Sequence, residues 1–149
     1  MLITDRRQID EIIEACQVCH LGMALGDEPY VIPITFGYDG IHIYFHTGVL
    51  GRKIDAWEAN PRVCVQFEDS VSVVPNEASP CKTGLTYRSV IGWGTIREIE
   101  DPERKGAALN QVMLHYRQGR YRFSPEDVAS VRIWEVEIES ISAKKTAGL

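Results

Sequence analysis

The sequence contains no apolar stretch near the roughly 18 residues that span a membrane. Its first residues, MLITDRRQIDEIIEA, soon turn charged and lack the apolar run followed by small residues that an export signal requires. A cytoplasmic location, without a membrane partner, is therefore the expectation. Basic residues are in deficit as well: 16 Lys and Arg stand against 21 Asp and Glu, a net charge of −5. That leaves no broad cationic face for nucleic-acid phosphates, so no nucleic acid is expected. Cysteine occurs only at positions 16, 19, 64 and 81, and in a reducing compartment these are thiols rather than a disulfide framework.

What is present fits one globular domain spanning 1–149, with 44% apolar and 25% charged residues. Ile9, Ile12, Ile13 and Cys16 share one helical face behind a cap at Thr4 or Asp5, which predicts a helix over 4–16. From Val18 the period changes to two, with Cys19, Leu21, Met23 and Leu25 on the apolar side of a strand. After a turn at GDEP, the runs YVIPITFG and IHIYFHT read as two strands around YDG. GRKIDAWEAN is helical, stopped by Asn60-Pro61 before the strand RVCVQFE.

Residues 69–83 carry two prolines and read as the longest loop. GLTYRSVIGWGTIREIE returns to strand, bent near Gly92 and Gly94. DPERKGAALNQVMLHY forms a second main helix with Ala108, Val112 and Tyr116 on one face, and SPED offers a serine cap for one more turn. In the last strand, RIWEVEIES, Trp134, Val136 and Ile138 alternate with Glu135, Glu137 and Glu139, and Trp93 and Trp134 read as core. The sum is a mainly β (α+β) protein: six antiparallel strands in a closed or nearly closed small barrel with flanking helices.

Cys16-Gln17-Val18-Cys19-His20 spells C-x-x-C-H, the pattern of covalent haem attachment. Its position argues otherwise. The motif straddles a helix end and a strand start, so Cys19 faces the core and His20 the opposite side. A helix C-terminus raises a thiol pKa instead of lowering it. No second Cys or His pair completes a zinc set, and no metal is expected. Two buried structural cysteines are the reading of the residues.

The segment YFHTGVLGRKIDAWEANPRVCVQF is more telling. A strand ends at His46-Thr47, a Gly-bounded loop follows, and Arg52-Lys53 open a helix. Cations are unfavourable at that end of a helix dipole unless an anion lies nearby, and free helix N–H groups suit a phosphate. The other reading of the pair is a solvated helix start.

Together with YRSVIGWGTIREIEDPERKGAAL and the helix-then-CHLGMA start, this block resembles the pyridoxamine 5′-phosphate oxidase-like, FMN-binding split-barrel family, and within it the nitroimidazole-resistance type. The resemblance implies FMN at the interface of a homodimer. The strand Val31-Ile32-Pro33-Ile34 would run beside the flavin ring with its main chain, and His46 and Thr47 would lie against the ring and the ribityl phosphate. Arg52 and Lys53 would bind the phosphate, while Tyr87, Arg88 and Ser89 would come from the second subunit. His46, where the oxidases have tyrosine, would be the catalytic candidate toward a small, electron-poor, nitroaromatic-like substrate.

The family's range also leaves open a non-catalytic flavin or haem carrier, or a deazaflavin-dependent reductase. The chain ends ISAKKTAGL and lacks the oxidase's C-terminal Arg-and-His segment, which speaks against pyridoxamine phosphate as substrate. Lys144 and Lys145 are expected in a free tail. No Gly-rich dinucleotide fingerprint follows a strand, so no electron donor is named.

Overall fold

A single sheet winds through the whole chain in the computed structural model, which describes residues 1–149. In order come β1 (Leu2–Ile3), α1 (Arg6–Ala15), β2 (Cys19–Leu25), β3 (Glu28–Ile34), β4 (Gly37–Tyr38) and β5 (His42–Thr47). Then follow α2 (Arg52–Ala59), β6 (Arg62–Val74), a 3₁₀ turn at Pro80–Lys82, β7 (Gly84–Glu98), α3 (Pro102–His115), α4 (Pro125–Ala129) and β8 (Arg132–Lys145). The antiparallel order is β3-β2-β6-β7-β8-β5-β4, with β1 added to β8. The six predicted strands are the six long ones; β1 and β4, two residues each, are additional. The sheet curls without closing, leaving β3 and β4 at the two ends of the path.

The local reasons follow the sequence. Asp5 caps α1 by accepting from the Arg7 N–H, and Ile9, Ile12 and Ile13 are its buried stripe. Asp101 caps α3, and Ser124 with Asp127 forms a capping box on α4. The main core gathers α1, the inner faces of β2, β5, β6, β7 and β8, and Trp57 of α2. A smaller second core of Ile99, Ala108, Leu109 and Ile133 seats α3 on the outer side of β8.

That second core has a polar consequence. Glu135 lies on the face of β8 opposite Trp134 and Val136, yet α3 covers it there, so the carboxylate is buried and paired with Arg104 at 2.8 Å. Residues 69–83 are not one long loop: β6 runs on to Val74, and only the stretch 75–83 connects it to β7. Lys144 and Lys145 are not a tail; both lie in β8, registered against Ser89 and Arg88. Trp134 is core, whereas Trp93 is 40% exposed on a shallow groove with Met23, Arg62 and Cys64. The predicted bend near Gly92 and Gly94 is present as a register shift between Trp93 and Gly94.

Candidate functional site

The site is built around the start of α2. Trp57 anchors that helix: its ring stands 5.7 Å from Phe45 of β5 and 5.0 Å from Trp134 of β8. Such aromatic pairs are worth about 0.5–1.5 kcal/mol each beyond burial. Arg132 fixes the same region from outside. It stacks over Trp134 at 4.8 Å, bonds Glu58 of α2 at 2.7 Å and Glu98 of β7 at 2.7 and 3.0 Å, and reaches the Val49 carbonyl at 3.4 Å. Hydrogen bonding to Glu98 raises the Arg132 pKa still further, and the same contact lowers that of Glu98. Sequence reasoning misses Arg132, since its partners are 34 and 74 positions away along the chain.

Unlike the other three α-helices, α2 has no side-chain cap; Gly51 occupies that position. Its first N–H groups are open to an acceptor. Arg52 leaves the helix start for β3, bonding Glu28 at 2.6 Å and lying 5.2 Å over the Tyr30 ring. The anion that the misplaced cation required is thus partly supplied by Glu28. Lys53 has no carboxylate within ion-pair distance.

The edge of β3 lies beside this start. Pro29 and Pro33 cannot donate to β2, so they occupy positions whose nitrogens point away from it. Val31, two residues from each, shares their phase. Its N–H is therefore the one outward donor between two prolines, on an edge strand with no neighbour. Val31 and Pro33 are exposed, Ile32 and Ile34 half-buried.

His46 and Thr47 point to opposite sides of β5: His46 is exposed and Thr47 buried. The Thr47 hydroxyl donates to the Gly48 carbonyl at 2.7 Å and accepts from Trp134 Nε1 at 3.0 Å. It is occupied within the fold. Tyr87, Arg88 and Ser89 lie elsewhere. Thr47 is registered against Arg132 at the start of β8, and Ser89 against Lys144 near its end. At about 3.3 Å per residue, roughly 40 Å of strand separates them. Arg88 is held by Asp69, directly across on β6, and its pKa is raised chiefly by that hydrogen bond. Within one chain β3 and α2 come together, while Tyr87–Ser89 sit at the far end of β8 from α2 and two strands, β2 and β6, away from the Pro33–Ile34 end of β3.

The C-x-x-C-H motif borders these residues: Cys19 and His20 are registered against Ile34 and Pro33 of β3, and Glu68, which Cys16 and His20 both meet, against Ser89. Cys16 and Cys19 are both buried, Cys16 donating to the Glu68 carbonyl at 3.3 Å. Burial pushes the Cys16 thiol up to about 11 and the Cys19 thiol higher still. His20 is on the other face, 3.6 Å from the Glu68 carboxylate. At pH 8 an aromatic disulfide reagent should therefore titrate exposed Cys81 rapidly and half-buried Cys64 more slowly. Cys16 and Cys19 should react only on unfolding, because the thiolate is the reactive form. Prompt reaction of more than two thiols would show that the motif is open.

Fold and site define a class: an open, antiparallel split barrel with a basic, uncapped helix start beside a proline-flanked edge strand. A profile of the pyridoxamine 5′-phosphate oxidase family matches residues 5–145, and the chain belongs to that family. It is similar to the crystal structure of a candidate 5-nitroimidazole antibiotic resistance protein from Bacteroides thetaiotaomicron. That likeness is 30% identical, covers 96% of this chain and 85% of that one, and has a TM-score of 0.85. The FAD and haem binding protein of Mycobacterium smegmatis shares the fold at 20% identity, with 99% and 74% coverage and a TM-score of 0.85. An uncharacterised protein of Rhizobium meliloti is 29% identical over 70 residues. That match spans 47% of this chain and less than half, 46%, of the relative.

Proposed function

We propose that this chain binds FMN between two copies of itself and serves as an oxidoreductase toward a small, electron-poor substrate, nitroaromatics included. The observation that carries the reading is the doubly basic, uncapped start of α2 beside the free edge of β3. The phosphate would be held by Lys53, by Arg52 exchanging Glu28 for it, and by the open N–H groups. Val31 would offer its outward N–H to the edge of the ring. Bound FMN supplies the electron transfer; the chain's own residues bind, orient and shield it. His46, exposed on β5 near the same helix start, is placed in this reading to meet the substrate.

The homodimer rests on two features. Within one chain Tyr87–Ser89 lie toward the opposite end of β8 from the strand end that leads into α2, and in this reading a second chain brings them to the flavin. Beside them, the β6–β7 arm exposes Val71, Val73 and Leu85, with Val73 and Leu85 directly opposite each other. Exposed apolar rows of this kind mark association surfaces. The setting is reducing and cytoplasmic in this reading, in keeping with four free thiols. No helix is long and apolar enough to cross a membrane.

The test is the absorption spectrum of the purified protein, alone and after addition of FMN, with its mass measured by light scattering. Flavin bands retained through gel filtration, on a species of twice the chain mass, are the expected result. Anaerobic reduction followed by mixing with a nitroaromatic should then restore the oxidised spectrum. A colourless protein that takes up no FMN sinks the proposal. A haem or deazaflavin spectrum would favour the carrier or deazaflavin readings, the former having a precedent in the fold neighbour that binds FAD and haem.

A further inference from the structure

A hollow of about 530 Å³ lies between α3, α4 and the connection joining them. Its volume is that of small-molecule sites, which run from about 300 to 1,000 Å³. No residue assigned above to flavin lines it. Three observations point to a ligand of one chemistry.

The first is charge. Elsewhere every arginine except Arg7 sits against a carboxylate, but Arg117, Arg120 and Arg122, all in the α3–α4 connection, do not. The connection 116–124, YRQGRYRFS, contains no acid at all. Arg122 and Lys105 line the hollow, and neither has a carboxylate within ion-pair distance; Glu103 is the only acidic residue on its wall. In a chain of net charge −5, this concentration of unpaired cations attracts anions.

The second is Gly106. It lies inside α3, where glycine costs about 1 kcal/mol relative to alanine. Neither packing nor backbone demands it: an added Cβ would meet no atom within 4 Å, and its φ is not positive. The space such a side chain would enter is the hollow itself.

The third is that the wall is already built. The Asn110 side chain donates to the Tyr121 carbonyl at 3.0 Å and accepts from its N–H at 2.8 Å, pinning the connection to α3. This stands Tyr121 and Phe123 together, ring centroids 6.1 Å apart. An aromatic wall faces a bare stretch of helix, with two unpaired cations at hand.

We infer that this hollow binds a small aromatic acid. Its ring lies over Gly106 and Ala107 against Phe123, and its carboxylate or sulfonate meets Lys105 and Arg122. The test uses 2-naphthoate as probe and uncharged 2-naphthamide as control, by calorimetry on the full chain, with and without saturating FMN. Wild type should bind naphthoate in both conditions. Lys105→Gln with Arg122→Gln should weaken naphthoate by about 10-fold or more, as for a lost charge-assisted hydrogen bond, and leave naphthamide within about 2-fold. Gly106→Leu should abolish both, with circular dichroism and FMN uptake as in wild type. Naphthoate binding that survives Gly106→Leu, that never occurs, or that vanishes under FMN would overturn the inference. So would a Gly106→Leu chain that changes its oligomeric mass, which would give the hollow to a second copy. FMN uptake is read separately, so failure here leaves the flavin proposal standing, and the reverse.

Discussion

Replacing Arg52 and Lys53 together by alanine should weaken FMN binding by about 100-fold or more and leave the fold in place. Hydrogen bonds to charged groups contribute about 1.5–3 kcal/mol each, and every 1.4 kcal/mol is a factor of ten. Removing two such hydrogen bonds from a dianionic phosphate gives that figure at the lower end. The fold is spared because Arg52 and Glu28 are exposed, with 51% and 63% of their side-chain surface open, and such pairs stabilise by about 0–1 kcal/mol. Riboflavin, which has the ring but no phosphate, supplies the control: its affinity should be nearly the same in wild type and variant. Glu28→Gln should act oppositely to the double variant, since it frees Arg52 from a competing carboxylate and should tighten FMN. Equal FMN affinity in wild type and the double variant would remove α2 from the site.

The sequence makes some of this visible and hides the rest for identifiable reasons. Helix α1 and strands β2 and β5 are legible because each buries one face against the core, so the 3.6- or 2-residue period is written in Ile9, Ile12 and Ile13 or in Ile43 and Phe45. The outer half of β6 projects beyond the core. Val71, Ser72, Val73 and Val74 are all exposed, so no alternation marks them, and backbone pairing with β7 alone makes them strand. The end of β8 is hidden likewise, its Lys144 and Lys145 held by ladder bonds to β7 that any side chain permits.

In the site, the basic pair at α2 is readable because a cation at a helix start is a local misfit. Its outcome is not, since Glu28 arrives from another strand. Thr47 shows the same limit. Its residue type suggests a free donor, and only the fold reveals that Trp134, 87 positions away, claims the hydroxyl. Pro29 and Pro33 are an intermediate case. In the sequence Pro29 reads as part of the GDEP turn, yet two prolines four residues apart fit an edge strand and fix the phase of Val31, as β3 shows.

Gly94→Ala should cost about 3 kcal/mol or more, the larger of the stability effects expected, and Gly37→Ala should approach it. At Gly94 an added Cβ would stand 2.0 Å from the Glu137 carbonyl oxygen and 2.9 Å from its carbon. Both are backbone atoms of the paired strand β8, and no rotamer change can relieve the overlap. The contact arises where the ladder slips: Trp93 pairs with Ser140 and Gly94 with Ile138, leaving Glu139 as the extra residue of a bulge. Thr95 and Arg62 hold the Glu139 carboxylate, so the bulge is fixed from both sides and lets β7 and β8 turn around the core. At Gly37 the same atom would lie 2.4 Å from the Gln111 carbonyl carbon and 2.5 Å from the Val112 nitrogen, forcing α3 off the sheet. Gly106→Ala is the internal control: its Cβ meets nothing, and helix propensity should stabilise the protein by about 1 kcal/mol. Urea unfolding of the three variants should therefore shift the midpoint down, down and up relative to wild type. A Gly94→Ala protein within about 1 kcal/mol of wild type would mean that β7 and β8 can part at the bulge without loss. The curl that brings β5 and α2 to one end of β8 and sets Tyr87–Ser89 at the other would then need a different cause.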